Sequence, residues 1–222
     1  MNQLVIFDLD NTIIKGQSQR LLLNYAFKKK LIKPIFYYRI LLWFILYRIG
    51  LAKNPKKIME YAFSFLENKY VNECEKIIND FFNEELQNYI FEEAVKISKD
   101  HINQNRIILI ISNAIEFIPK RISEFLGTKH FIGTKLAVLN GKFTGHIEGN
   151  IIYGEYKVNA LKDFIKKNKL SLENSWAYSD HNSDIPLLEL ATHPCTVNPD
   201  RGLLKKAKER NWPTIVFKKT IK

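Results

Sequence analysis

Three short, uninterrupted apolar runs, Leu4 to Phe7, Ile107 to Ile111 and Trp176 to Tyr178, stop abruptly at small or acidic polar residues: Asp8, Ser112 and Ser179–Asp180. Continuous rather than alternating hydrophobicity predicts strands covered on both faces, and hence a parallel sheet. In open α/β sheets, ligands bind just beyond the carboxyl ends of strands. Three strand ends that each deliver polar side chains therefore point to one site. Further strands are expected at Ile215 to Phe217 and near Cys195 to Val197.

Nearly a hundred residues separate the first two runs, too many for an ordinary crossover. They carry helical signals: Asn54–Pro55 as N-cap and first position, Asn72 with Glu75 as a capping box, and a last helix through Glu92 to Lys99. Residues 15–98 are expected to form a helical cap inserted into an α/β core of residues 1–14 and 99–222. A helix is predicted at Glu116 to Leu126. The alternation from Phe131 to Tyr153 around Asn140–Gly141 predicts a β-hairpin.

Charge is concentrated in that insertion. The chain carries a net charge of +11, and from Asn11 to Met59 there are eleven Lys and Arg and no Asp or Glu; the remaining 23 basic and 23 acidic residues balance. The same segment holds eight aromatics: Tyr25, Phe27, Phe36, Tyr37, Tyr38, Trp43, Phe44 and Tyr47. Ile35 to Tyr47 has one charge, Arg39, and is apolar all round, which calls for burial in protein or contact with lipid. Its longest uncharged stretch, Ile40 to Tyr47, falls well short of the ~20 residues of a membrane span. Two readings stay open: a cap packed on its own neighbours, or a surface resting on anionic lipid. Nucleic acid is not an expected partner. Lys28-Lys29-Lys30 reads as a solvated helix end.

With 46% hydrophobic and 26% charged residues, global disorder is excluded. Cys74 and Cys195 match no metal spacing and suit a reducing compartment as inert thiols. The five histidines show no metal spacing either; His181 alone neighbours a candidate site residue. The N-terminus meets two acids after four apolar residues, unlike a secretory signal. A cytoplasmic location is expected, with peripheral contact at the inner membrane face as the alternative.

The chemistry-bearing residues follow the strands. Asp8 and Asp10, two apart at a strand end, can share a pocket and divide labour as nucleophile and proton donor. Ser112-Asn113 offers hydrogen-bond donors to an anionic group. Lys157 precedes a helical pattern, and Asp180 with Asp184 can join Asp8 in an oxygen site for Mg²⁺.

In this order, Asp8-x-Asp10-x-Thr12, Ser112, Lys157 and Asp180-x-x-x-Asp184 resemble the four motifs of the haloacid dehalogenase superfamily. The large helical insertion and Val197-Asn198-Pro199-Asp200 are similar to its phosphoserine-phosphatase-like branch. The resemblance implies an α/β, Rossmann-like core with an inserted helical cap. It implies Asp8 as nucleophile, Asp10 as general acid and base, and phosphate binding by Ser112, Asn113 and Lys157. It also implies Mg²⁺ held by Asp8, the Asp10 carbonyl and Asp180, with Asp184 as ligand or support. Cations are needed because a carboxylate nearing a phosphate dianion is repelled by roughly 4 kcal/mol per charge pair at an effective dielectric of 20. Ion pumps of this superfamily carry Thr at the place of Asp10, so the retained acid favours ester hydrolysis. Ser112-Asn113-Ala114 departs from the Ser-Gly-Gly of phosphoserine phosphatases, which argues against phosphoserine itself. The expected activity is Mg²⁺-dependent hydrolysis of a small phosphorylated metabolite. Its rivals are a lipid-phosphate phosphatase, acting on a phosphatidylglycerophosphate- or lysophosphatidate-like substrate, and a catalytically idle scaffold.

Overall fold

The computed structural model describes residues 3–48, 51 and 54–221, so that part of the basic segment, residues 49, 50, 52 and 53, and the side chains of Tyr47 and Arg48 lie outside the description. In chain order the elements are β1 (Leu4–Phe7), α1 (Ser18–Lys28), α2 (Pro34–Arg48), α3 (Pro55–Phe63), α4 (Val71–Glu84), α5 (Glu92–Asn103), β2 (Ile107–Ile115), α6 (Phe117–Leu126) and β3 (His130–Thr134). They continue with β4 (Leu136–Leu139), β5 (Lys142–Ile147), α7 (Glu155–Asn168), β6 (Trp176–Ser179), α8 (Ile185–Leu188), β7 (His193–Val197), α9 (Arg201–Arg210) and β8 (Thr214–Ile215).

Six strands form one parallel sheet in the order β3-β2-β1-β6-β7-β8. Every residue of β1 is fully buried, as its unbroken apolar sequence requires. Side chains alternate across a strand. Val5 and Phe7 accordingly enter one apolar cluster with Ile108, Ile110 and α6, while Leu4 and Ile6 enter another with Leu109, Leu161 of α7 and Leu203 of α9. The chain builds β2 and β3 on one side of β1, then crosses to build β6, β7 and β8 on the other. The order reverses beside β1, and that reversal opens a crevice at the carboxyl ends.

The insertion leaves and returns at a single seam. Ile14 bridges Ile90, the Lys15 N–H donates to the Tyr89 carbonyl at 2.7 Å, and the Phe91 N–H donates to Ile13 at 2.9 Å. Asn54 caps α3 as expected, accepting from the Lys57 N–H at 3.1 Å. Helix α4 begins two residues before the Asn72–Glu75 expectation: Glu73 accepts from the Tyr70 N–H at 2.7 Å, and Glu75 instead pairs with Lys120. Residue 98, the expected end of the cap, falls inside α5, whose Ala94, Ser98 and His101 are buried.

Three strand expectations are corrected. Strand β2 runs on through Ser112 to Ile115, with its register against β3 shifting between Ile111 and Ile115. Phe131 to Thr134 belongs to β3 of the main sheet; only β4 and β5 form the hairpin, turning on Asn140 and Gly141 at φ 50° and 75°. Two consecutive left-handed residues suit the right-handed twist of the flanking strands. Strand β8 is Thr214–Ile215 and ends before Phe217, which leaves the sheet to pack against Phe91.

Candidate active site

Parallel pairing brings the first and last acids together. Phe7 is in register with Tyr178, and the Asp8 N–H donates to the Tyr178 carbonyl at 2.9 Å. Adjacent strands lie ~4.8 Å apart, so Asp8 and Ser179–Asp180 leave the sheet as neighbours. The loop after β1 curls back at once: the N–H groups of Thr12, Ile13 and Ile14 all point to the Leu9 carbonyl. Leu9 is fully buried, whereas Asp8 and Asp10 both line the cavity outside the strand ends.

Lys157, near the start of α7, is the hinge of the charge arrangement. Its buried Nζ donates to Asp8 Oδ1 and to Asp184 Oδ2, both at 2.6 Å. Asp184 Oδ2 also accepts from Ser179 Oγ at 2.6 Å. Burial works against the Lys157 charge, but the Asp184 and Asp8 carboxylates outweigh it and push its pKa up. The lysine is therefore permanently cationic.

The acids are short of positive charge. Burial raises Asp8 well above the usual carboxylate range, against the pull of Lys157, and the Asp184 and Asp180 charges push the same way. Asp180 is pushed up to about 7 by burial, opposed by the Asn11 amide at 3.1 Å and reinforced by Asp184 and Asp10. Burial also raises Asp10, although its Oδ1 accepts from the Ser18 N–H at 2.9 Å. That bond caps the first turn of α1, which has no side-chain cap from Gln17.

One lysine facing Asp8, Asp10, Asp180 and Asp184 leaves a buried excess of negative charge among hard oxygen donors. Such a set fits a divalent cation. Among the described residues no three Asp, Glu, His or Cys side chains gather closely enough to hold a metal alone. Carboxylate and carbonyl oxygens are the hard donors that Mg²⁺ takes when one or two carboxylates bind it and it keeps its waters. Asp184 Oδ2 is already committed to Lys157 and Ser179.

The remaining expected residues divide. Asn113 lines the cavity beside Asp8, Asp10, Lys157, Asp180 and Asp184, and so does His181. Ser112 is buried on β2, its Oγ accepting from the Ala114 N–H at 3.1 Å, and is not part of the cavity wall. Thr134 Oγ1 donates to the Asn113 carbonyl at 2.8 Å and fixes this bend.

Two positioning residues were not singled out in the sequence. Asn11, at φ 55°, holds Asp180 with its amide, accepts from the Gly16 N–H at 2.9 Å and receives Asn198 on its carbonyl at 3.1 Å. Asparagine tolerates this left-handed conformation and bonds locally. Gln19 of α1 reaches the Asn113 carbonyl at 3.4 Å and so ties the insertion to β2. The only sequence signal for them was an amide immediately after an acid, or on the first turn of a helix.

The cavity measures about 630 Å³. Its floor is the acidic cluster, and the insertion side of its wall is mostly apolar (Leu23, Phe44, Ile58, Met59, Ala62 and Phe63), with Gln17, Gln19 and Lys56 as its polar members.

Comparison with known proteins agrees with this geometry. The haloacid dehalogenase-like hydrolase family matches residues 5–189. A probable phosphatase of Mycobacterium tuberculosis is 33% identical over 151 residues, covering 68% of this chain; the chain spans about half (52%) of that protein. A histidinol-phosphatase of Neisseria meningitidis serogroup C is 29% identical over 98% of this chain and 100% of its own length. The fold is shared with an apo phosphoserine phosphatase at a TM-score of 0.66 and 18% identity, covering 100% of this chain and 96% of that one. The strand order, the acids gathered at β1 and β6 and the family match lead to one conclusion: this chain belongs to the haloacid dehalogenase-like hydrolases.

Proposed function

We propose that the chain is a phosphatase that hydrolyses phosphomonoesters by way of a phosphoryl group carried on Asp8. The observation that carries this reading is the Lys157 ammonium clamped between Asp8 and Asp184 in the lining of the cavity. An Asp8 oxygen attacks phosphorus and the ester P–O bond breaks. The protonated Asp10 gives its proton to the departing alkoxide, a role its raised pKa favours. The Asp10 carboxylate then takes a proton from water as that water attacks phosphorus, which releases inorganic phosphate and frees Asp8. Lys157 holds Asp8 in place and offsets the charge of the incoming phosphate, while Asn113, with Ser112 behind it, offers donors to the phosphoryl oxygens. Mg²⁺, held by Asp8, Asp180 and the Asp10 carbonyl, would supply the further positive charge that the transferring group needs. The insertion between the Ile14 and Ile90 sides of the seam would serve as the cap over the cavity.

The substrate is a small phosphorylated metabolite. The relatives named for histidinol phosphate and phosphoserine point to polar leaving groups, yet most of the insertion side of this cavity is aliphatic and aromatic, Gln17, Gln19 and Lys56 apart. That wall favours a leaving alcohol with an apolar part, and it supports a lipid phosphate as the second reading. Phosphate release from phosphoserine, histidinol phosphate, lysophosphatidate and phosphatidylglycerophosphate, with Mg²⁺ and with chelator, tests both readings. Asp8→Asn is expected to lower turnover by roughly a thousandfold or more. Undiminished turnover in that variant removes the mechanism, and no turnover of any substrate by the folded wild type leaves the idle scaffold standing.

A further inference from the structure

The hydrolytic reading leaves the outer face of α2 without a task. Its inner face packs: Ile40 is buried, Tyr37 stacks on Phe27 at 4.4 Å and bonds Asn24 at 2.9 Å, and Phe36 meets the Tyr61 ring at 5.0 Å. The opposite face is equally apolar and open to solvent. Ile35, Tyr38, Leu42 and Ile45 are 67%, 61%, 54% and 57% exposed, and their spacing places them in one stripe along the helix. Trp43 flanks the stripe and is also exposed. Scattered exposed apolar residues need no explanation, but a contiguous stripe does.

We propose that this face docks on an anionic lipid bilayer. The charge around it selects that occupant. Lys30, Lys33 and Arg39 are exposed and form no ion pair with a described residue, although Lys28 and Lys29 beside them are held by Glu85 and Glu84. No acid lies between Asn11 and Met59 to oppose them. A second copy of the chain is disfavoured, because a two-fold contact through this stripe brings Arg39 and its neighbouring lysines towards their own images. Anionic headgroups meet the same cations with opposite charge, at roughly a fivefold gain in partitioning per Lys or Arg near the surface. Tyr38 and Trp43 are the side chains that settle at headgroup level. No described helix is long and apolar enough to cross a membrane, so α2 lies in the interface plane. Phe44, on the same helix, lines the catalytic cavity, which places the cavity wall next to the docked face.

Docking is independent of the hydrolytic reading, and the experiment separates the two. The full chain is sedimented with phosphatidylcholine vesicles, with and without phosphatidylglycerol, at low and high salt. Its turnover of p-nitrophenyl phosphate is measured in vesicle-free buffer. Wild type is expected to sediment with the phosphatidylglycerol vesicles at low salt and to be released at high salt. The I35Q/L42Q/I45Q variant, altered only at exposed positions, is expected to lose at least about tenfold in partitioning with its turnover unchanged. K30Q/K33Q is expected to lose roughly tenfold or more on the anionic vesicles alone. Absence of wild-type binding at low salt overturns the proposal, as does equal binding by the triple variant. A wild-type dimer in light scattering that the triple variant splits assigns the stripe to a second copy and overturns it too. Binding with no turnover in any form leaves docking intact and sinks the hydrolytic reading.

Discussion

Lys157 carries more than any other single side chain. It is the cation that Asp8 and Asp184 share, and both acids are buried with it. Removing one partner from a buried pair leaves uncompensated charge, at about 3–5 kcal/mol. Lys157→Met is expected to lose that much in urea denaturation, and Asp8→Asn in the same chain to recover part of it. His101 offers a second test. Its Nδ1 faces the Arg106 guanidinium at 2.9 Å and must accept, so the Nε2–H donates to Tyr178 Oη at 2.9 Å. Burial, then the Arg106 charge, lowers its pKa to about 4 from the ordinary 6.5. Between those values the unfolded chain binds the proton and the folded chain does not. The stability from this group is complete above pH 6.5 and drains away as pH falls towards 4. His101→Gln is expected to show a shallower fall across that window in urea midpoints, by up to about one proton.

Among the elements, the junction of β2, α6 and β3 is the tightest. A Cβ on Gly133 would stand 2.5 Å from the Glu116 Cα and 2.9 Å from the Ala114 carbonyl, both backbone. Backbone cannot step aside as a side-chain tip can, so Gly133→Ala is expected to cost about 1–3 kcal/mol in chemical denaturation. This junction also shows where sequence reading reached its limit. β1, β2 and β6 were legible because unbroken apolar runs have few alternatives to a buried strand, and their polar ends disclosed the acids. β3 was not, because Phe131 to Thr134 runs almost directly into the alternating hairpin that follows it, and the pattern does not say which neighbour a strand will choose. The extension of β2 past Ser112 was hidden because polar residues there read as a strand end. Helix α2 was legible as a helix, but a segment apolar on all sides carries no periodicity to tell its inner face from its outer one. Asn11 and Gln19 act through tertiary bonds, and these have no signature in spacing.

For the molecule as a whole, the acidic centre predicts a linkage. A cation bound only by the folded chain stabilises it by mass action, by about 2.7 kcal/mol at a hundredfold excess over Kd. The thermal midpoint is expected to rise with Mg²⁺ and fall back with chelator, and Asp180→Asn is expected to abolish the response. The same architecture dictates an order of events during synthesis. Lys157 and Asp8 are 149 residues apart in the chain and 2.6 Å apart in the fold. At 5–20 residues per second the ribosome delivers the lysine roughly 7–30 s after the aspartate. Until then β1 has emerged with a charged end and no counterion, so the nascent chain must pass through a period in which Asp8 stays wet and the central strand cannot close.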